Sequence, residues 1–261
     1  PPRLSLPHTH YLQHMIKQKL IYGIHALSES LASHSDIDKI YMKKGAATGE
    51  LLEIKRTARA QGIPVMEVPA ERLNRFTRGA HQGVVALISP ITYTRLESLI
   101  PMLYDEGQMP FIVLLDGVTD VRNFGAIART CECAGVHAIV IPERDSVSVT
   151  ADAVNASAGA LMRIPVCRER DLVTACRFLR DSGLQLVGAD VDATTNYTSL
   201  PMTPPLGLVM GSEQKGISTG VLKQLTDRVS IPQLGQISSL NVSVATGIML
   251  YEVVRQHNAN L

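Results

Sequence analysis

The sequence predicts an α/β protein in which a mainly parallel C-terminal sheet follows a small N-terminal α/β unit. Three observations lead there. Short apolar runs such as Phe111–Asp116 (FIVLLD) have the pattern of strands buried on both faces of a parallel sheet. These runs alternate with segments of helical period, as in a doubly wound sheet. The balance of 45% hydrophobic to 19% charged residues is that of a globular chain rather than a disordered one. A length of 261 residues suits one large or two modest domains.

Residues 1–20 (PPRLSLPHTHYLQHMIKQKL) carry prolines and three histidines, His8, His10 and His14, without a period. They read as a flexible polar segment rather than a metal site, with no signal-peptide layout. The small α/β unit is expected over 20–89. Its elements are a helix over 24–31, a strand over 37–42, a helix over 49–60, a strand over 63–68, a short helix near 70–76 and a strand over 83–89. Residues 90–109 place Pro90, Pro101 and Gly107, with Pro110 beyond, around one amphipathic stretch and read as a linker.

The second domain, 110–261, opens with the strand 111–116. A helix over 123–134 follows, with Asn123 as its N-cap and Gly135 as the terminating residue. Further strands are expected at 137–142, near 185–190, at 206–211 and at 228–232. Helices are expected at 152–160 and 171–181, with a long final one over 240–256. No internal repeat or low-complexity tract interrupts this order.

Charge and composition exclude several classes. The net charge of +1 rules out a polycationic nucleic-acid coat but not a basic patch. Residues 36–90 hold nine Lys/Arg against six Asp/Glu, whereas 110–261 hold twelve against fourteen. The basic excess suits encounter with a polyanion but equally a set of solvated helix faces. Aromatic residues make up 4%, with no tryptophan, which disfavours a base-stacking single-strand platform. The apolar runs stop far short of the roughly 18 residues of a membrane span. Cys131, Cys133, Cys167 and Cys176 never form Cys-x-x-Cys, so neither a zinc ribbon nor a disulfide framework is indicated and a reducing cytoplasm is expected. Cys131 and Cys133, two apart on a helix, point in different directions and read as packing residues.

No dinucleotide-binding or phosphate-binding glycine loop, nucleophile elbow or His-Glu-x-x-His helix is present. What remains is three polar loops after apolar strands, where a parallel sheet places its ligands. DGVTDVRNFGAIART (116–130) contains Asn123 and Arg129. Six residues apart, these two share no helix face unless Asn123 lies before the helix. GLVMGSEQKGIS (207–218) sets Ser212, Glu213, Gln214 and Lys215 between two glycines. IPQLGQISSLNVSVATGIML (231–250) delivers Ser238, Ser239 and Asn241 to a helix start. Each loop taken alone can equally be a cap or a turn.

In this order, the three segments resemble the motifs of the SpoU/TrmH branch of the SPOUT methyltransferases: Asn-x5-Arg, strand-Gly-Ser-Glu-x-x-Gly, and Ile-Pro followed by Gly-x-x-Ser-Ser-Leu-Asn-Val-Ser-x-Ala. The resemblance covers 110–256. It extends to YGIHAL (22–27) and HQGVVALI (81–88), which are similar to the N-terminal RNA-binding domain of the bacterial 23S rRNA guanosine-2′-O-methyltransferase subgroup. One departure is Val121, where that subgroup often has proline.

The resemblance implies a deep trefoil knot in the C-terminal α/β domain, S-adenosylmethionine as cofactor, no metal, and a homodimer whose sites are completed near the partner chain. It matches Gly211, Ile231 and Leu240 to cofactor-contacting positions. Asn123, Arg129, Glu213, Ser239 and Asn241 match the polar residues around the transferred methyl. The implied reaction is methylation of an RNA ribose 2′-OH, with 23S rRNA as the expected substrate. A tRNA or resistance-type rRNA target is the alternative within the class; a non-catalytic knotted RNA-binding or ribosome-assembly factor is the alternative outside it. A guanidinium keeps its proton, with a pKa above about 12. Arg129 is therefore expected to act as an electrostatic clamp rather than a base. Asn123 is expected to hold Arg129 or the ribose, and Glu213 to hold loops together.

Overall fold

The computed structural model describes residues 18–45 and 49–259. His8, His10 and His14 lie outside the described residues. Gln18 and Lys19, read from sequence as part of a flexible segment, are tied to the fold. Gln18 donates through Nε2 to the Ile88 carbonyl at 2.8 Å and accepts from the Ala151 amide at 3.1 Å.

The N-terminal part runs β1 (Leu20–Tyr22), α1 (Ile24–Ala32), β2 (Ile37–Lys43), α2 (Gly49–Ala60), β3 (Val65–Val68), α3 (Ala70–Phe76) and β4 (Val84–Ile88). Its sheet has the order β1-β4-β2-β3; only β2 and β3 pair in parallel. Alternation along the strands divides the core. Ile40, Met42, Val84 and Ala86 pack with Leu27 and Leu31 of α1 and with Leu51, Ile54 and Ala58 of α2. Tyr41, Val85 and Leu87 pack with Leu73 of α3 on the other face. The short β1 gives too few residues for a periodic signal, and it is missing from the sequence reading. Strand β3 begins at Val65, not at 63, because Pro64 has no N–H for a ladder.

The remaining elements are α4 (Leu96–Asp105), β5 (Phe111–Asp116), α5 (Val121–Cys133), β6 (Ala138–Pro142), α6 (Ala151–Ala156), β7 (Val166–Glu169), α7 (Leu172–Asp181), β8 (Gln185–Ala189), β9 (Leu206–Gly211), α8 (Thr219–Leu222), β10 (Asp227–Val229) and α9 (Val242–Ala259). The six strands form one parallel sheet in the order β10-β8-β9-β5-β6-β7. Val113, Leu115, Leu208 and Met210 face α5, α6 and α9 through Phe124, Ile127, Val154, Met249 and Leu250. Ile112, Leu114 and Val209 face α4, α7 and α8. Helices on both faces explain why the strands read as unbroken apolar runs.

Four departures from the sequence reading have local causes. The 90–109 segment carries α4, whose Leu96, Leu99, Ile100 and Leu103 are buried against Ile112 and Leu114, so this stretch covers the sheet rather than merely joining two units. Strand β7 (VCRE) is short and half polar, which hid it. Helix α5 starts at Val121, and its N-cap is Asp120, not Asn123. The Asp120 carboxylate accepts from the amides of Arg122 at 2.9 Å and Asn123 at 2.8 Å. The helix expected over 152–160 stops at Ala156, because Ala158 and Gly159 turn left-handed at φ 51° and 85° before a 3₁₀ turn at Ala160–Met162.

The cysteines are packing residues, except that Cys133 is exposed. Burial pushes the thiols of Cys167 and Cys176 up to about 12 and that of Cys131 higher still, so none of these three is a ready thiolate. Close packing is severe at Gly125, where a Cβ would sit 2.5 Å from the Ala156 Cβ and 2.8 Å from its carbonyl carbon. Gly125→Ala is expected to destabilise the fold by about 1–3 kcal/mol through overpacking of α5 on α6. Denaturant titration checks this, and an unchanged midpoint would contradict it.

Candidate functional site

In the parallel sheet β5 and β9 lie side by side, but their connections leave in opposite directions, β5 toward β6 and β9 past β8 toward β10. Such a reversal opens a crevice at the carboxyl ends of the strands, where open α/β sheets bind ligands. The loop after β5 ends in the first turn of α5, which carries Asn123. The loop after β9 carries Glu213. The loop after β10 leads to Asn241, the residue before α9.

These three side chains meet. Asn241 donates through Nδ2 to Glu213 Oε1 at 2.7 Å and to Asn123 Oδ1 at 2.9 Å. Asn123 donates through its own Nδ2 to Glu213 Oε1 at 3.2 Å, and the Val242 amide reaches the same oxygen at 3.2 Å. One carboxylate oxygen thus gathers donors from both other loops, and Asn123 is bonded to Glu213 and Asn241 rather than to Arg129. Asn241 also caps α9: its Oδ1 accepts from the Ser243 amide at 2.9 Å.

The β9 loop is a tight turn. Ser212 and Gly216 exchange backbone hydrogen bonds of 3.1 and 2.8 Å, and Ser212 Oγ accepts from the Lys215 amide at 3.1 Å. Gly211 is required here because a Cβ would lie 2.2 Å from the Gly216 carbonyl carbon and 2.3 Å from the Ile217 nitrogen. The turn is anchored to β5 by the Ser218 amide, which donates to Asp116 Oδ2 at 2.7 Å.

Two cavities flank this turn. One, of about 490 Å³, is bounded by Gly211, Ile231, Ser239 and Leu240, with Met210, Ile217 and Ala245 as apolar walls and Asp190, Asp192, Arg228 and Gln233 at its polar end. The other, of about 780 Å³, lies on the Asn123 side, between Asp116–Asp120 and Ser212–Thr219. Glu213 borders both.

Arg129 stands apart. It is exposed on α5 and lines neither cavity, and among the described residues it has no hydrogen-bond or ion-pair partner. The α5 face it shares with Arg122 and Ala126 is open to solvent. Neighbouring α9 exposes Val244 and Tyr251 by about half, 51% and 52%.

Sequence reasoning missed Asp116, Asp120, Asp190 and Arg228. Asp116 and Asp190 both follow or end an apolar strand, a position where a parallel sheet displays polar groups, and that signal was available. The Asp190–Arg228 ion pair at 3.2 Å joins neighbouring strand ends far apart in sequence, which no local pattern shows. Among the described residues no group of three or more His, Cys, Asp or Glu is placed to hold a metal ion, and no helix is long and apolar enough to cross a membrane.

Residues 110–251 match the SpoU rRNA methylase family model, and residues 20–94 match that of the RNA 2′-O ribose methyltransferase substrate-binding domain. A Bacillus subtilis protein named for the TrmH family of tRNA/rRNA methyltransferases is 34% identical over 238 residues, covering 91% of this chain and 96% of the relative. A similarly named Staphylococcus haemolyticus protein is 35% identical over 92% of this chain and 96% of its own length. Among solved structures, an AdoMet-bound rRNA methyltransferase from Sinorhizobium meliloti superposes with a TM-score of 0.58 at 26% identity, covering 92% of this chain and 87% of that one.

Proposed function

Because this chain belongs to the SpoU/TrmH family of RNA methyltransferases, we propose that it uses S-adenosylmethionine to methylate a ribose 2′-OH of 23S rRNA. The observation that carries this reading is the Asn123–Glu213–Asn241 network, which ties the three motif loops together between two cavities.

The smaller cavity fits the cofactor. Its volume of about 490 Å³ is in the usual range for small-ligand sites, roughly 300–1,000 Å³. Gly211, whose missing Cβ lets the adjoining turn close, lines this cavity. Met210, Ile217, Ile231, Leu240 and Ala245 would enclose the apolar part of the nucleoside, with Ser238, Ser239 and the nearby carboxylates around its polar parts. When bound, the sulfonium supplies an already activated methyl group, so the transfer calls for an oxygen nucleophile held in line.

The chain's own residues then have separable tasks. Glu213, with its Oε1 shared by three donors, holds the loops rather than taking a proton. Asn123 and Asn241 fix the wall of the larger cavity, which would admit the ribose. Arg129 would hold the RNA phosphate and stabilise the developing oxyanion electrostatically, the 2′-OH proton passing to a neighbouring phosphate or to water. Since Arg129 lies outside both cavities, we assign it to the site of a second copy of this chain. The half-exposed apolar face of α9 beside α5 supports that homodimer.

The test is transfer of labelled methyl from S-adenosylmethionine to separate pools of unmodified 23S rRNA, 16S rRNA and tRNA, followed by nuclease mapping. Label at a 2′-O position in 23S rRNA is the expected result. Label in tRNA alone would overturn the substrate and keep the chemistry. Cofactor binding with no label in any pool, assembled subunits included, would favour the non-catalytic reading.

A further inference from the structure

Another recess, apart from the two cavities beside Glu213, lies where the two sheets meet. Its volume is about 950 Å³. Lys39 of β2, Arg59 at the end of α2, residues 60–66, Arg95 before α4, residues 143–146 after β6, and Arg170 after β7 form its walls. We propose that this cleft is a track for the RNA phosphodiester backbone, leading the substrate strand to the Asn123–Glu213–Asn241 network. The proposal rests on the RNA methyltransferase reading and adds the path by which the substrate arrives.

Charge is the first argument. Five cations line the cleft against two carboxylates, Glu143 and Asp145, in a chain whose net charge is only +1. Most of these cations are uncommitted: among the described residues Lys39, Arg59, Arg144 and Arg170 form no ion pair. Arg95 reaches Glu97 only at 4.0 Å, with both side chains exposed. Clustered cations without protein partners release bound counterions when they meet phosphates, which is the main source of affinity for a nucleic-acid backbone.

Continuity is the second argument. Asp145 borders both this cleft and the 780 Å³ cavity beside Asn123, so the two recesses adjoin. Its walls come from both parts of the chain, and their spacing is set by a buried junction. Asp38 of β2 and Arg168 of β7 pair at 3.8 Å, and the Arg168 guanidinium lies 4.0 Å from the centre of the Tyr93 ring. A smaller hollow lined by Arg168, Tyr93, Arg95 and Gln61 adjoins the cleft there.

The nature of the lining is the third. Among the cleft residues there is no aromatic ring on which a base can stack. Contacts to phosphates position a nucleic acid without reading its sequence, so the cleft should supply affinity while the choice of nucleotide is made elsewhere.

The experiment compares the wild-type protein with Arg59→Ala/Arg170→Ala and with a matched control, Arg177→Ala/Arg180→Ala, on the outer side of α7. All four side chains are exposed, so the variants should fold, and circular dichroism verifies it. Binding of unmodified 23S rRNA and of a random-sequence RNA is measured across a salt series, alongside kcat and KM for methyl transfer. The cleft variant is expected to lower the slope of log affinity against log salt by about 1.5 for both RNAs. Its KM should rise several-fold with kcat within about twofold of wild type. The control should match the wild type. Unchanged slope and KM in the cleft variant, or an equal loss in the control, would overturn the track. A wild-type protein that methylates no RNA would instead overturn the reading on which the proposal rests.

Discussion

Arg129→Ala is expected to lower methyl transfer by about 10²–10³-fold, the scale of removing one preorganised donor from a developing oxyanion. Affinity for S-adenosylmethionine should be unchanged, because Arg129 does not line the 490 Å³ cavity. Stability should move by no more than about 0.5 kcal/mol, since the side chain is exposed. The same variant tests the homodimer. Mixing Arg129→Ala with Glu213→Ala chains gives hybrid dimers. If Arg129 serves the partner's site, one site of each hybrid holds a native Glu213 and a native Arg129, and activity returns. If Arg129 serves its own chain, both sites of the hybrid stay defective and mixing restores nothing. A single variant with near-native turnover would remove Arg129 from the mechanism altogether.

Asp38→Ala is expected to be among the most destabilising single substitutions in the chain, by about 3–5 kcal/mol. Asp38 is 3% exposed and Arg168 11%. Asp38 Oδ1 accepts from the Tyr93 hydroxyl at 2.7 Å and the Val149 amide at 3.3 Å. Burial, with Asp38 beside it, pushes the Tyr93 phenol well above its ordinary pKa, so the hydroxyl keeps its proton and donates. Removing the carboxylate leaves the Arg168 charge, the phenol and an amide without that acceptor. Arg168 still donates to the carbonyls of Asp38 at 2.9 Å and Ile37 at 3.3 Å, which limits the loss. For a chain of this size the cost corresponds to a Tm lower by roughly 10 °C. Asp38→Asn, which keeps an acceptor of the same shape, should cost less. Thermal unfolding of the two variants decides it, and a Tm for Asp38→Ala close to wild type would show that this junction does not hold the two sheets together.

Much of this architecture was readable because it is local. The limits of β5, α2, α3 and β9 follow from apolar runs and helical periods bounded by Gly, Pro and acids. Other features escaped for equally local reasons. Strand β7 spends half of its few residues on Arg168 and Glu169, one for the junction with β2 and the other accepting the Leu96 amide at 3.3 Å. Helix α4 looked like part of a linker because Pro90, Pro101 and Gly107 surround and interrupt it. Its burial depends on a sheet that a linear reading cannot place over it. Asn123 also has the residue type of a cap, but Asp120, three residues earlier, is the acceptor that the helix start uses.

The sequence by itself determined the fold class and the order of most of the elements, though not β1, β7 or α8. It also determined the three polar loops that carry Asn123, Glu213 and Asn241, because strand runs, helix periods and motif spacing are all local properties of a chain. Only the tertiary structure decided that these loops converge on one carboxylate oxygen, that Arg129 stands outside their cavities, and that cations from separate segments line one cleft. Those relations join residues more than a hundred positions apart, as in the Asn241–Asn123 bond across 118 positions. The loops converge because the connections of β5 and β9 part in opposite directions at the centre of a parallel sheet.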